Sequence, residues 1–119
     1  MIKRCKDLDV WNNAPELVEN TYKITPSFPD EEKYGLTSQI RRSSVSVPSN
    51  IAKSFMRNSY KEYIRFLYIA LGSLGELDTQ VELSSRLSFI NDSRELENRI
   101  KIIRMQLFGL KKSLKNRII

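Results

Sequence analysis

The sequence predicts an all-α protein, an up-down-up-down antiparallel four-helix bundle that forms a single domain over residues 1–119. Glycine and proline are scarce, at four residues each, and this scarcity argues against the many tight turns of an all-β fold. Hydrophobic residues make up 40% of the chain, a share typical of a folded protein. Apolar residues recur at helical spacing in four segments, and short connections between such helices favour antiparallel neighbours.

Helix 1 is predicted over about residues 9–24, before a loop that begins at Pro26. Its apolar stripe comprises Trp11, Ala14, Val18 and Thr21 or Tyr22. Asn13 and Glu16 have the spacing of an N-terminal capping pair, which leaves the position of the first turn open.

Helix 2 is predicted over about residues 36–56. Its core stripe comprises Leu36, Ile40, Val47 and Ile51. Pro48 falls inside this segment, where it removes one backbone donor and its ring clashes with the carbonyl of Ser44. We therefore expect a kink in helix 2 at Pro48.

Helices 3 and 4 are predicted over about residues 59–87 and 94–116, with Ser59 as the N-cap of helix 3 and a turn at residues 91–93 before helix 4. Helix 3 has an apolar arc wider than one stripe, with Ile69 on the opposite side. Such a helix is buried on more than one side, which predicts self-association. Helix 4 carries a heptad-like seam made of Leu96, Ile100, Ile103, Leu107, Leu110, Leu114 and Ile118.

The residue types exclude most kinds of reactive site. The chain has no histidine and a single cysteine, Cys5, so it lacks the ligands of a zinc site and the Glu-x-x-His pairs of a di-iron bundle. Its serines have no histidine to activate them. Asp78 falls toward the apolar seam of helix 3, and a paired structural role is favoured there over catalysis. We predict a protein that is not an enzyme, with no catalytic residues, no metal and no cofactor.

No membrane partner is predicted either. Residues 1–6 lack the apolar core of a signal peptide. No stretch of the sequence approaches the roughly 20 apolar residues of a membrane span. These features predict a cytoplasmic protein.

Positive charge is concentrated in two segments of a chain whose net charge is +6. Residues 33–60 hold five basic residues and no acid, residues 91–119 carry +5, and residues 1–32 carry −3. Because Arg and Lys bind phosphate oxygens without reading base sequence, we predict a nucleic-acid partner. A solvated face or salt bridges between subunits remain the alternative. The candidate nucleic-acid-binding residues are Arg41, Arg42, Lys53 and Arg57 on helix 2 and Lys101, Arg104, Lys111, Lys112 and Lys115 on helix 4.

Phe108 lies within the basic flank of helix 4, and Met105 lies at its edge. An aromatic ring among basic residues can stack a base, but aromatic side chains at helical spacing more often bury in packing. The residues assigned to an oligomer interface are therefore Tyr68, Ile69, Met105 and Phe108.

Two runs of sequence carry a family resemblance. Residues 35–42 (GLTSQIRR) and 45–52 (VSVPSNIA) resemble the bacterial four-helix-bundle family encoded in intervening sequences of large-subunit ribosomal RNA genes. Weaker support comes from LDVW at residues 8–11, FP at 28–29, EYIRFL at 62–67 and ALGSLGEL at 70–77. The resemblance covers about residues 8–83.

The resemblance implies an up-down four-helix bundle, and relatives in this family form barrel-like homopentamers. A distant branch is the accessory protein of diversity-generating retroelements, which binds nucleic acid and a reverse transcriptase. The family pattern after Asn-Ile-Ala usually reads Glu-Gly, whereas this chain has Lys53 and Ser54, which makes the surface near Arg42 more positive. The leading hypothesis is an RNA-binding homo-oligomer, expected to be a pentamer. The alternative is an oligomeric scaffold that binds a protein partner such as a reverse transcriptase.

Overall fold

The structure, a computed structural model, describes residues 9–116, and within that range it contains helices and turns but no strand. Cys5 and Ile118, which figure in the sequence predictions, lie outside the described residues. The predicted all-α fold is confirmed, and each helix end lies within one residue of its predicted position. The four α-helices are α1 (Asp9–Ile24), α2 (Leu36–Phe55), α3 (Tyr60–Arg86) and α4 (Arg94–Lys115).

The helices pack in chain order, and α4 closes the bundle against α1. The amide of Asn13 donates to Gln106 Oε1 at 2.9 Å. Two turns further along α1, the amide of Asn20 donates to Glu95 Oε1 at 3.3 Å. Residue numbers therefore rise along α1 while they fall along α4, which is the antiparallel arrangement that short loops require. Asn13 lies inside α1, so it is not the cap that its spacing from Glu16 had allowed.

The core is built from one buried stripe on each helix, and its largest fully buried side chains include Leu17, Ile40, Leu67 and Leu107. The stripe on α1 differs from the predicted one. The residues buried there are Val10, Ala14, Leu17 and Thr21, whereas Trp11 and Val18 are half-buried. Thr21 can occupy a core position because its hydroxyl donates to the carbonyl of Leu17 at 2.9 Å, so its own polar group is paired.

Helix α2 runs as one continuous helix through Pro48. The kink expected at this residue stays a prediction. Val47 before Pro48 and Ile51 after it are fully buried, so packing against the rest of the bundle holds the helix across the position where proline removes a hydrogen bond.

The starts of α3 and α4 are fixed by polar side chains. Ser59 is the N-cap of α3, as predicted, and its hydroxyl accepts from the backbone N–H of Glu62 at 3.2 Å. The carboxylate of Asp92 fixes the start of α4, because its Oδ1 accepts from the Arg94 backbone N–H at 3.0 Å. The Arg94 guanidinium bonds the same carboxylate and lowers the pKa of Asp92 to about 2.

Helix α3 ends in a Schellman motif whose left-handed residue is a serine. Ser88 has φ 64°, its N–H donates to Ser85 O, and the N–H of Phe89 donates to Ser84 O at 2.8 Å. Glycine is the usual residue at this position, since the left-handed conformation costs other residues roughly 1–2 kcal/mol.

Replacing Ser88 by glycine is expected to raise the free energy of unfolding by about 1 kcal/mol, because glycine adopts positive φ without steric cost. Urea denaturation measures the change. The matched control is Ser85→Gly, inside the helix, which is expected to lower stability by roughly 0.5 kcal/mol. A Ser88→Gly variant no more stable than the starting protein would contradict this account of the turn.

Candidate nucleic-acid interface

Two aromatic rings and two lysines meet on the outer surface where α3 packs against α4. The Nζ atom of Lys111 lies 4.5 Å from the ring centroid of Tyr68 and 4.6 Å from that of Phe108. Lys115 Nζ donates to the Tyr68 hydroxyl at 3.1 Å. Tyr68 and Phe108 are 46% and 48% exposed. We call these four residues the aromatic–lysine cluster.

The buried seams of α3 and α4 determine which surface residues of the two helices meet in the cluster. Leu67 on α3 and Leu107 on α4 are fully buried, so the residues that follow them, Tyr68 and Phe108, emerge beside the seam. The helices run antiparallel, which brings the start of α3 next to the end of α4, where Lys115 lies. Core packing therefore positions the surface residues.

The lysines hold the phenol of Tyr68 in a positive environment. The pKa of Tyr68 is lowered from its ordinary value, chiefly because Lys115 hydrogen-bonds the phenol oxygen and next because Lys111 does so. An ammonium group has three N–H donors. After one bond to Tyr68, Lys115 keeps donors that can reach a phosphate oxygen.

Arg104, a predicted phosphate contact, is bonded within the bundle. Its Nη2 donates to Asp78 Oδ2 at 2.9 Å, with the two side chains 38% and 45% exposed. Asp78 is thus paired, as predicted, although it is half-exposed and does not lie in the apolar seam. A pair this exposed contributes little to stability, but it ties α3 to α4 next to the cluster.

The basic residues predicted on helix 2 divide into two kinds, and one of them, Arg57, lies after the end of α2 at Phe55. Arg41 Nε donates to Thr25 Oγ1 at 2.8 Å, and its guanidinium stacks 4.7 Å from the ring of Tyr22. Arg57 stacks on Phe66 at 4.1 Å. Arg42 and Lys53 are exposed, and both stay predicted phosphate contacts.

The remaining predicted residues of α3 and α4 are all on the surface. Lys101 and Lys112 are exposed on α4. Of the residues assigned to an oligomer interface, Ile69 is 39% exposed and Met105 is 66% exposed. The other two, Tyr68 and Phe108, belong to the aromatic–lysine cluster, so the structure brings together residues that the sequence had placed in two separate sites.

Sequence reasoning missed Tyr68 and Lys61 as part of the basic surface. A shallow, mostly apolar groove of about 500 Å³ runs along the first turns of α3. Its lining includes Lys61, Ile69 and Tyr68. Tyr68 meets the lysines because of the register between α3 and α4. The spacing of residues within one helix does not reveal that register.

Two features are absent from residues 9–116. No group of three or more His, Cys, Asp or Glu side chains in this range could hold a metal ion. None of the helices in this range is long and apolar enough to cross a membrane.

Comparison with known proteins supports the resemblance. Residues 6–109 match the family described as 23S rRNA-intervening sequence protein. The chain belongs to this family. A crystal structure of a protein with unknown function from the S23 ribosomal protein family of Bacteroides thetaiotaomicron superposes with a TM-score of 0.80 and 23% sequence identity, covering 87% of this chain and 98% of that chain. At that identity the likeness shows the fold. No curated protein matches the chain.

Proposed function

We propose that this member of the family is a cytoplasmic, non-enzymatic RNA-binding protein that self-associates. RNA would be held at the aromatic–lysine cluster by lysine–phosphate contacts and by stacking of a base on Tyr68 or Phe108. The observation that carries the proposal is the position of Lys111 between two half-exposed rings. Positive grooves with exposed rings are the usual means of holding a single strand without reading its sequence.

The proposal rests on the lysines of α4. Arg104 already has a carboxylate partner in Asp78, so its charge is partly neutralised. Lys101 and Lys112 are exposed on the same helix as the cluster, and they extend the positive surface beyond it. The family's description, 23S rRNA-intervening sequence protein, names an RNA, so RNA is the first nucleic acid to test.

A salt titration of RNA binding tests the proposal. Filter binding to a single-stranded RNA should show an affinity that falls steeply with salt, with a log-log slope of about −3 if four lysines each neutralise one phosphate. The same slope on an RNA of different sequence is expected, because phosphate contacts carry no sequence information. Absence of measurable binding at low salt would contradict the proposal, and so would an affinity that does not change with salt.

Self-association is supported by exposed apolar side chains outside the cluster. Ile69 is exposed and lines the shallow apolar groove at the start of α3, and contiguous exposed apolar surface marks interaction sites. We propose a homopentamer, in line with the family resemblance. The second candidate function is a scaffold that binds a protein partner such as a reverse transcriptase through these apolar residues.

Replacing Ile69 by glutamate is expected to split the assembly, because a carboxylate would be buried at the contact without a partner. Light scattering after gel filtration should then report the mass of one chain, 13.9 kDa, in place of a multiple of it. The control is Tyr34→Glu, a loop residue that is 88% exposed, which should leave the mass unchanged. A starting protein that is already monomeric would contradict the proposed assembly.

A further inference from the structure

A second polar site lies between α2 and α3, away from the aromatic–lysine cluster. It is a cleft of about 290 Å³, roughly ten times the volume of a water molecule in the liquid. This is enough for one purine ring system. Its lining is almost entirely polar and comprises Gln39, Arg42, Ser43, Ser46, Ser73, Glu76 and Gln80.

The floor of the cleft is a fixed hydrogen-bond network. Ser46 and Ser73 share a hydrogen bond of 2.7 Å that joins α2 to α3. The amide of Asn50 donates to both the hydroxyl and the carbonyl of Ser46, at 2.9 and 2.8 Å. These small side chains keep the helices close and leave the space above them open.

The walls of the cleft offer hydrogen-bonding groups that the described part of the chain does not satisfy. Gln80 Oε1 is buried and accepts no hydrogen bond from residues 9–116. Buried acceptors in native proteins nearly always pair with protein or with water, so Gln80 Oε1 needs a donor that residues 9–116 do not supply. Within the same range, the side chains of Arg42 and Glu76 have neither a hydrogen bond nor an ion pair.

The two walls differ in chemistry. Glu76 and Gln80 are four residues apart on α3 and so lie side by side, which presents two adjacent acceptors. Arg42 on the facing helix presents a fork of N–H donors. A matching ligand carries two adjacent donors on one edge and acceptors on another edge.

Guanine has this pattern. Its N1–H and N2–H groups are adjacent donors, and its O6 and N7 atoms are the acceptors that arginine binds in a bidentate manner. Adenine presents an N6 amino donor where guanine has O6, so this donor would face the N–H donors of Arg42 and form no hydrogen bond with them. Cytosine has only its N4 amino group to offer to the two acceptors of α3.

We infer that the cleft between α2 and α3 is a guanine-binding pocket in which Glu76 and Gln80 accept from N1–H and N2–H and Arg42 donates to O6 and N7. The guanine comes from a free nucleotide or from a base turned out of single-stranded RNA. In the second case the inference rests on the proposed function. Glu76 is eight residues from Tyr68 on α3, about 12 Å along the helix axis, so one strand could occupy both sites.

Calorimetric titration with GMP, AMP and CMP at one ionic strength tests the pocket, since the three ligands share the same phosphate. GMP is expected to bind about tenfold more tightly than either of the others, the discrimination typical of a bidentate base contact. Glu76→Gln should reduce this preference to less than about threefold. The matched control, Glu82→Gln, removes an exposed carboxylate of the same helix that pairs with Arg86, and it should retain the preference.

A second arm distinguishes the two sources of guanine. An oligouridine with one central guanosine is compared with the oligouridine alone, both at high salt where phosphate contacts are weak. Tighter binding of the guanosine-containing strand assigns the pocket to RNA. A preference for GMP over AMP and CMP, with equal binding of the two strands, assigns it to a free nucleotide. Equal binding of GMP, AMP and CMP together with equal binding of the two strands overturns the inference. Salt-dependent RNA binding would in that case persist, so this result leaves the proposed function standing.

Discussion

Replacing Lys111 and Lys115 together by glutamate is expected to lower RNA affinity about a hundredfold at low salt. Each phosphate contact to a single strand contributes roughly 0.7 to the log-log salt slope, which amounts to about tenfold in affinity near 50 mM salt. The variant should also show a slope that is shallower by about 1.4 units. Filter binding over a series of salt concentrations measures both quantities.

The control for this variant changes the net charge by the same amount in another place. Lys23 and Lys33 are exposed at the end of α1 and in the loop that follows it, and Lys33 lies 5.5 Å from the ring of Tyr34. Their joint replacement by glutamate removes a similar lysine–aromatic contact, but it should change RNA affinity by less than about threefold. Equal losses in the two double variants would show that net charge governs binding, and would contradict a role for the cluster.

Substitutions at two adjacent residues of α4 are expected to affect stability and RNA binding separately. Leu107 is fully buried and Phe108 is 48% exposed, although they are neighbours in sequence. Leu107→Ala is expected to lower the free energy of unfolding by about 3 kcal/mol, because it removes buried methyl groups and leaves a cavity. Phe108→Ala should change stability by less than about 0.5 kcal/mol, yet weaken RNA binding about tenfold through the loss of one stacked base.

Urea denaturation and filter binding on both variants measure these effects. A folded protein of this size is expected to have a free energy of unfolding of roughly 5–15 kcal/mol, so Leu107→Ala should stay folded at 25 °C and bind RNA normally. The control for Phe108→Ala is Tyr34→Ala, which removes a ring outside the cluster that is 88% exposed. This variant should also bind RNA normally. A large loss of stability in Phe108→Ala would assign the ring to packing.

The helices could be predicted from sequence because each one carries a long apolar repeat. The seam of α4 illustrates this, since Leu96, Ile100, Ile103 and Leu107 are all buried as expected. In α1 the prediction was right for Ala14 and Thr21, but it chose Trp11 and Val18, which are half-buried, in place of the buried Val10 and Leu17. Thr21 is a polar residue type, and only its hydrogen bond to Leu17 shows why it fits a core position.

The candidate site was less predictable, because it depends on the register between helices. Periodicity places Lys115 on one flank of α4 but does not say which residue of α3 it meets. The structure brings it to Tyr68, and the same register brings Arg104 to Asp78. One predicted phosphate contact thus acquires a partner within the chain, while a residue assigned to an oligomer interface joins the basic surface.

The most direct test of RNA binding at the aromatic–lysine cluster is photo-crosslinking with a single-stranded RNA that contains 4-thiouridine, followed by mass spectrometry of the linked peptides. We expect the crosslinks to fall on Tyr68 and Phe108, and to disappear when Lys111 and Lys115 are replaced by glutamate. Crosslinks confined to Tyr34 or Tyr22, with none on α3 or α4, would contradict the account.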